Sequence, residues 1–74
     1  NMYSTNDNLV SELKAAHPRF QSLYEKHDQL DKQIRGLEGP SGAGYNLQLV
    51  KLKKEKLHLK DEMQKIIQQA QYLK

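Results

Sequence analysis

The positions of glycine and proline constrain the fold of this 74-residue chain more than any other feature. Pro18 stands alone, whereas the second proline and all four glycines lie between Gly36 and Gly44. Because both residue types interrupt regular structure, the chain divides into one segment before Pro18, one between Pro18 and Gly36, and one after Gly44. A chain of this length supports one small domain at most.

The two long segments have the apolar spacing of helices. Apolar residues follow one another at alternating intervals of three and four, interrupted by His27 in the first segment and Lys56 in the second. This spacing predicts helices over about 18–37 and 46–72, joined by a loop at 38–45. The apolar seams consist of Phe20, Leu23, Leu30, Ile34 and Leu37, and of Tyr45, Leu49, Leu52, Leu59, Met63, Ile66, Ala70 and Leu73.

Two residues mark where these helices begin. Pro18 suits the first helical position, because its missing N–H would have no partner there and its φ is already helical. The side chain of Asn46 can cap the second helix by accepting a hydrogen bond from a first-turn N–H.

The segment before Pro18 predicts a third, shorter helix over about 6–16. It is amphipathic, and we expect its apolar side to cover the part of the second long helix that extends beyond the first. Residues 1–5 are expected to be disordered, and 6–74 to form a single domain. The residues brought together in this way are Leu9, Val10 and Leu13 on one side and Ile66, Ala70 and Leu73 on the other.

The predicted fold class is all-α, an antiparallel helical hairpin with coiled-coil-like packing, because a short loop between two amphipathic helices favours antiparallel neighbours. Residue numbers facing each other across such a pair have a nearly constant sum. A sum of 82 to 83 pairs Phe20 with Met63 and Leu37 with Tyr45.

The same register places His27 opposite Lys56, with Asp31 one turn after His27. We predict a structural polar layer of His27, Asp31 and Lys56, which fixes register at a cost in stability. A histidine and a carboxylate at i and i+4 could also be half of a metal site or a general base. Lys56 would repel a cation, however, and two helices offer no concave pocket. We therefore expect no enzyme, cofactor, metal or small-molecule substrate.

Lysines are concentrated in the second long helix, and residues 51–74 carry seven basic and three acidic side chains. A basic helix can lie along phosphates with salt-dependent affinity. No aromatic residue interleaves the cluster for base stacking, and no arginine offers bidentate base readout, so a solvated face is the default. The candidate basic patch is Lys51, Lys53, Lys54 and Lys60.

A second apolar stripe lies beside the seam of the same helix. Val50, Leu57 and Ile67 form this candidate interaction stripe, through which a second copy or a protein partner could bind. The alternative is that lysine stems shade these residues, since scattered exposed apolar side chains are normal.

The composition limits the core. Apolar residues supply 36% of positions, with one Phe, no Trp and no Cys, so disulfides are excluded and little core material exists. No apolar run reaches the roughly 20 residues of a membrane span, and no secretory signal is evident. We expect a cytoplasmic protein that does not bind membranes.

The two long predicted helices carry a pattern of residues that consists of Pro18-Arg19-Phe20, Leu23, His27, Leu30-Asp31, Ile34 and Glu38, then Leu52-Lys53-Lys54, Lys56-Leu57 and Leu59-Lys60-Asp61-Glu62. This pattern resembles that of the YdcH-like family, small bacterial proteins of unknown function. The resemblance covers about 9–68, and the run from Lys53 to Glu62 is its most specific part. It implies a cytoplasmic helical hairpin with no assigned activity and no established ligand residues.

These observations predict a small helical interaction or structural module that acts through protein–protein contacts. The alternative is a basic helical protein that associates with nucleic acid through the lysine cluster. Steep weakening of binding by salt would favour nucleic acid.

Overall fold

The structure is a computed structural model that describes residues 7–39 and 46–73. These residues form three helices, α1 (Asp7–Ala16), α2 (Pro18–Glu38) and α3 (Leu47–Leu73). The described ranges contain no strand, and the predicted all-α hairpin is confirmed. Residues 1–5, which are expected to be disordered, and six of the eight predicted loop residues, 40–45, lie outside these ranges.

Helices α2 and α3 pack along each other, and α1 contacts both. The ion pairs Arg19–Glu62 and Lys53–Glu38 join opposite ends of α2 to α3, so the two helices run antiparallel. None of the described helices is long and apolar enough to cross a membrane.

The break between α1 and α2 is a capped helix start. His17 has extended backbone angles, φ −107° and ψ 104°, and its Nδ1 accepts a hydrogen bond from the Phe20 N–H at 3.1 Å. Pro18 follows in the first turn, as predicted. The capping role of His17 was not predicted, because histidine is not among the preferred capping residues.

The ends that flank the loop are also capped. The Oδ1 atom of Asn46 accepts from the N–H groups of Gln48 at 2.7 Å and Leu49 at 3.4 Å, which confirms Asn46 as the cap of α3. Helix α2 extends through Glu38, one residue beyond the prediction, and Gly39 ends it with φ +73°, a conformation that glycine adopts without steric cost.

The most deeply buried part of the core lies where the three helices meet. Phe20 is completely buried there, together with Leu9, Leu13 and Ile67. The predicted packing of α1 over α3 is therefore confirmed in outline, but Leu73 is 83% exposed and the prediction that α1 covers it is wrong. Partly buried residues that pack around this cluster are Val10, Tyr24, Met63, Ile66 and Ala70.

The rest of the hairpin has a narrower core that two helices share. Leu23, Leu30 and Ile34 of α2 and Leu49 of α3 are buried. Leu37, predicted to face Tyr45, is exposed, and Tyr45 lies outside the described residues.

Candidate interaction surface

An ion pair joins the two long helices at the predicted polar layer. The Nζ atom of Lys56 lies 2.6 Å from Oδ1 of Asp31, and Arg35 binds the other carboxylate oxygen. Hydrogen bonds from Lys56 and Arg35 hold the pKa of Asp31 below its usual range. The charged ends lie at the edge of the helix pair, where both side chains are partly exposed.

His27 lies half-buried beside this pair. Burial lowers the pKa of His27, and the charge of Lys56 lowers it further, so the neutral imidazole is favoured. The carboxylate of Asp31 is bound by two cations, and among the described residues no hydrogen bond joins it to the imidazole of His27 to orient a general base. Among the described residues, no group of three His, Asp or Glu side chains could hold a metal ion.

The four lysines of the predicted basic patch differ in whether they form an ion pair. Lys53 pairs with Glu38 across the hairpin at 2.7 Å, so its charge is already balanced. Lys51, Lys54 and Lys60 form no ion pair with any described residue and are exposed.

The predicted interaction stripe also divides. Val50 and Leu57 are 44% and 58% exposed, but Ile67 is only 8% exposed and belongs to the core, so its place in the stripe is wrong. At about 100° per residue, the 17 positions from Val50 to Ile67 fall roughly 100° short of whole turns. That rotation turns Ile67 toward α1 and α2.

Leu47 extends the exposed face in the other direction. It is 61% exposed and lies three residues before Val50 on α3, and this helical neighbour was not predicted as part of the stripe. We call Leu47, Val50 and Leu57 the outer stripe. Their spacing places them along one side of α3, and Leu57, at the edge of this side, also lines a groove with Ile34 and Arg35 of α2.

Lysines border the outer stripe. The helical neighbours of Leu57 at three and four positions are Lys53, Lys54, Lys60 and Asp61. A shallow groove lies beside Leu57, the one residue of the outer stripe that lines it. It is lined by Lys51, Lys54, Glu55, Leu57, His58 and Asp61.

Comparison with known proteins shows one family. The model of the family described as "Protein of unknown function (DUF465)" matches residues 20–67. The chain is 52% identical over 68 residues to the uncharacterized protein YdcH of Escherichia coli (strain K12) and to that of Shigella flexneri, which covers 92% of this chain and of each relative. No solved structure matches significantly. These matches confirm the resemblance to the YdcH-like family.

Proposed function

The chain belongs to the family described as "Protein of unknown function (DUF465)", and from that premise we propose that it is a cytoplasmic helical module that acts through protein–protein contacts. The contact surface in this proposal is the outer stripe of α3. Neither the family description nor the names of the relatives assign an activity.

The exposure of the outer stripe is the observation that supports this proposal. Leu47, Val50 and Leu57 lie on one side of a helix and remain in water, although the chain has little apolar material for its own core. Fully burying a side chain of this size contributes about 1.5–3 kcal/mol, so a partner that covers all three gains substantially. A helix face with apolar residues at i, i+3 and i+10 suits docking against another helix.

Nucleic-acid binding is the second candidate. It is favoured by Lys51, Lys54 and Lys60, which are exposed and have no described ion-pair partner. Two further lysines of the cluster, Lys53 and Lys56, already bind carboxylates of α2, which reduces the charge that phosphates would meet. We therefore rank protein contacts first.

Site-specific cross-linking in the bacterium that makes the protein tests the proposal. A photoreactive amino acid introduced at Leu57 should give discrete protein adducts that persist after nuclease treatment. The same amino acid at Gln29, which is exposed on α2, is the matched control and should give none of these bands.

The contrary outcomes are equally distinct. Adducts that disappear with nuclease would favour nucleic acid, and identical band patterns from Leu57 and Gln29 would remove the outer stripe as a specific surface. Sedimentation of the purified adduct separates a second copy of this chain from a different protein.

A further inference from the structure

We propose that the outer stripe binds an acidic amphipathic helix of a partner protein. This inference rests on the proposed function and deepens it by giving the partner's chemistry. The surface consists of Leu47, Val50 and Leu57 with the bordering lysines Lys51, Lys54 and Lys60.

The apolar part of the surface is accessible. Long lysine stems often shade apolar neighbours, but Leu57 is more than half exposed although four lysines lie within four positions of it. Val50 and Leu57 are two turns apart, about 10 Å along the axis. A helix that presents apolar residues at i, i+3 or i+4, and i+7 matches this distance.

The charge of the surface selects an acidic partner. Helix α3 carries six lysines and three carboxylates, whereas α2 carries four side chains of each sign. The surface carries Lys51, Lys54 and Lys60 against two carboxylates, Glu55 and Asp61, and none of these five has an ion-pair partner among the described residues. The excess of lysines leaves positive charge available to carboxylates of a ligand. Complementary charges beside an apolar stripe give specificity and fast association.

The same charges disfavour a second copy of this chain as the occupant. A second copy would bring the same excess of lysines over carboxylates to the interface, and unbalanced like charges across an interface are costly. An acidic helix from a different protein avoids this repulsion and satisfies the lysines.

A set of designed peptides provides the probe. The acidic peptide is a labelled 21-residue helix with leucines at heptad positions a and d and glutamates beside them. One control replaces every such glutamate with glutamine, and another replaces them with lysine. Fluorescence anisotropy with the full chain should show the acidic peptide binding about tenfold or more tightly than the glutamine peptide, with the difference shrinking at high salt.

Variants of the chain separate the two parts of the surface. Leu57→Ser should weaken binding of the acidic peptide at all salt concentrations. Lys51→Glu with Lys54→Glu should abolish the preference for glutamate and favour the lysine peptide instead. Lys26→Glu, a charge reversal at an exposed position of α2, is the matched control and should retain the preference. Circular dichroism checks that each variant is folded.

Two results would overturn the proposal. Equal binding of the acidic and glutamine peptides would exclude charge selection. Binding that ignores Leu57→Ser and is matched by a DNA duplex would indicate a general anion surface. The cross-linking test separates failure of this inference from failure of the proposed function. A discrete protein adduct at Leu57 without acidic-peptide binding would overturn only the acidic partner. The absence of any adduct would overturn the proposed function as well.

Discussion

The two ends of the helical hairpin are stabilised in different ways. At the end where α1 packs across α2 and α3, here called the three-helix end, Phe20 and Ile67 are buried among leucines. At the loop end, around Ile34 and Leu49, no described part of α1 contributes to the buried cluster, and charged pairs border the seam instead.

Because of this difference, the part of the chain that contributes most to stability is not the part that carries the outer stripe. Burying a large apolar side chain contributes about 1.5–3 kcal/mol, whereas an exposed ion pair contributes about 0–1 kcal/mol. Four apolar residues are buried in each part of the hairpin, but only the three-helix end holds the fully buried Phe20 and further partly buried apolar residues around it. We infer that this end contributes the larger share of the folding free energy. The loop-proximal half of α3 can then leave Val50 and Leu57 uncovered without unfolding the chain.

The largest effect is expected from removing α1. Deletion of residues 1–16 eliminates the burial of Leu9 and Leu13, which is worth at most about 3–6 kcal/mol. Amide hydrogen exchange should accelerate most at 63–70 and less at 47–56. Unchanged protection at 63–70 would contradict the packing of α1 at the three-helix end.

Substitution of Phe20 by alanine should have the next largest effect. Phe20 is completely buried, and such truncations cost about 3–5 kcal/mol, enough to unfold much of a marginal domain. Tyr72→Ala, at an almost fully exposed aromatic residue, should change stability by less than about 0.5 kcal/mol. Urea titration followed by circular dichroism compares the two variants. Similar decreases in the free energy of unfolding for the two variants would contradict the placement of Phe20 in the core of the three-helix end.

The starts of the long helices could be predicted from the sequence because the residues that fix them act locally. Pro18 and Asn46 act within their own first turns, so their roles could be predicted from residue type and position. The alternating spacing likewise identified the buried residues of α2, where one neighbouring helix determines a narrow seam.

The errors arose where tertiary packing changes the buried side of α3. Ile67 was assigned to an exposed stripe because a hairpin needs only a narrow seam, but α1 widens the buried side at that end. Leu73 was expected to be covered, although the position where α1 stops covering α3 depends on the angle at His17. Neither the angle nor the accessible state of Leu57 beside its lysines is encoded in local spacing.

Replacing the polar pair at the middle of the hairpin should sharpen the comparison. His27→Leu combined with Lys56→Leu extends the apolar seam toward the loop and should stabilise the fold by about 1–2 kcal/mol, because removing both polar groups avoids their desolvation. We expect a higher melting temperature and additional oligomers in sedimentation. Lys56→Leu alone leaves Asp31 with one cation fewer and serves as the comparison. A double variant that melts lower than the wild type would show that the polar layer contributes net stability.

Removing the cap of α3 should weaken the loop end by about 1 kcal/mol. In Asn46→Ala, the N–H groups of Gln48 and Leu49 lose their acceptor. Exchange of the first-turn amides of α3 should accelerate while residues 63–70 remain protected. Gln48→Ala removes an exposed side chain of the same turn that is not the cap, and should change exchange little. Equal acceleration at 63–70 would mean that the two ends unfold as one unit.

The acid-induced loss of stability should begin with His27. Burial and the nearby charges of Lys56 and Lys60 lower the pKa of His27, while Asp31 and Asp28 raise it less. The unfolded chain, with a histidine pKa near 6.5, therefore binds a proton before the folded protein does. This contribution to the free energy of unfolding is complete above about pH 6.5 and is lost as the pH falls through the lower folded value.

The carboxylates act in a lower range, so the two steps can be separated. Hydrogen bonds from Lys56 and Arg35 to Asp31 and from Lys65 to Glu62 lower the pKa values of both acids, so their contributions are present at neutral pH and decline only below about pH 4.5. Urea midpoints measured from pH 7.5 to 3 should decrease gently below about pH 6.5 and again below about pH 4.5. His27→Gln should remove the first decrease, and the exposed His58→Gln should preserve it. A first decrease that persists in His27→Gln would assign it to another group and leave the middle of the hairpin without a pH-sensitive residue.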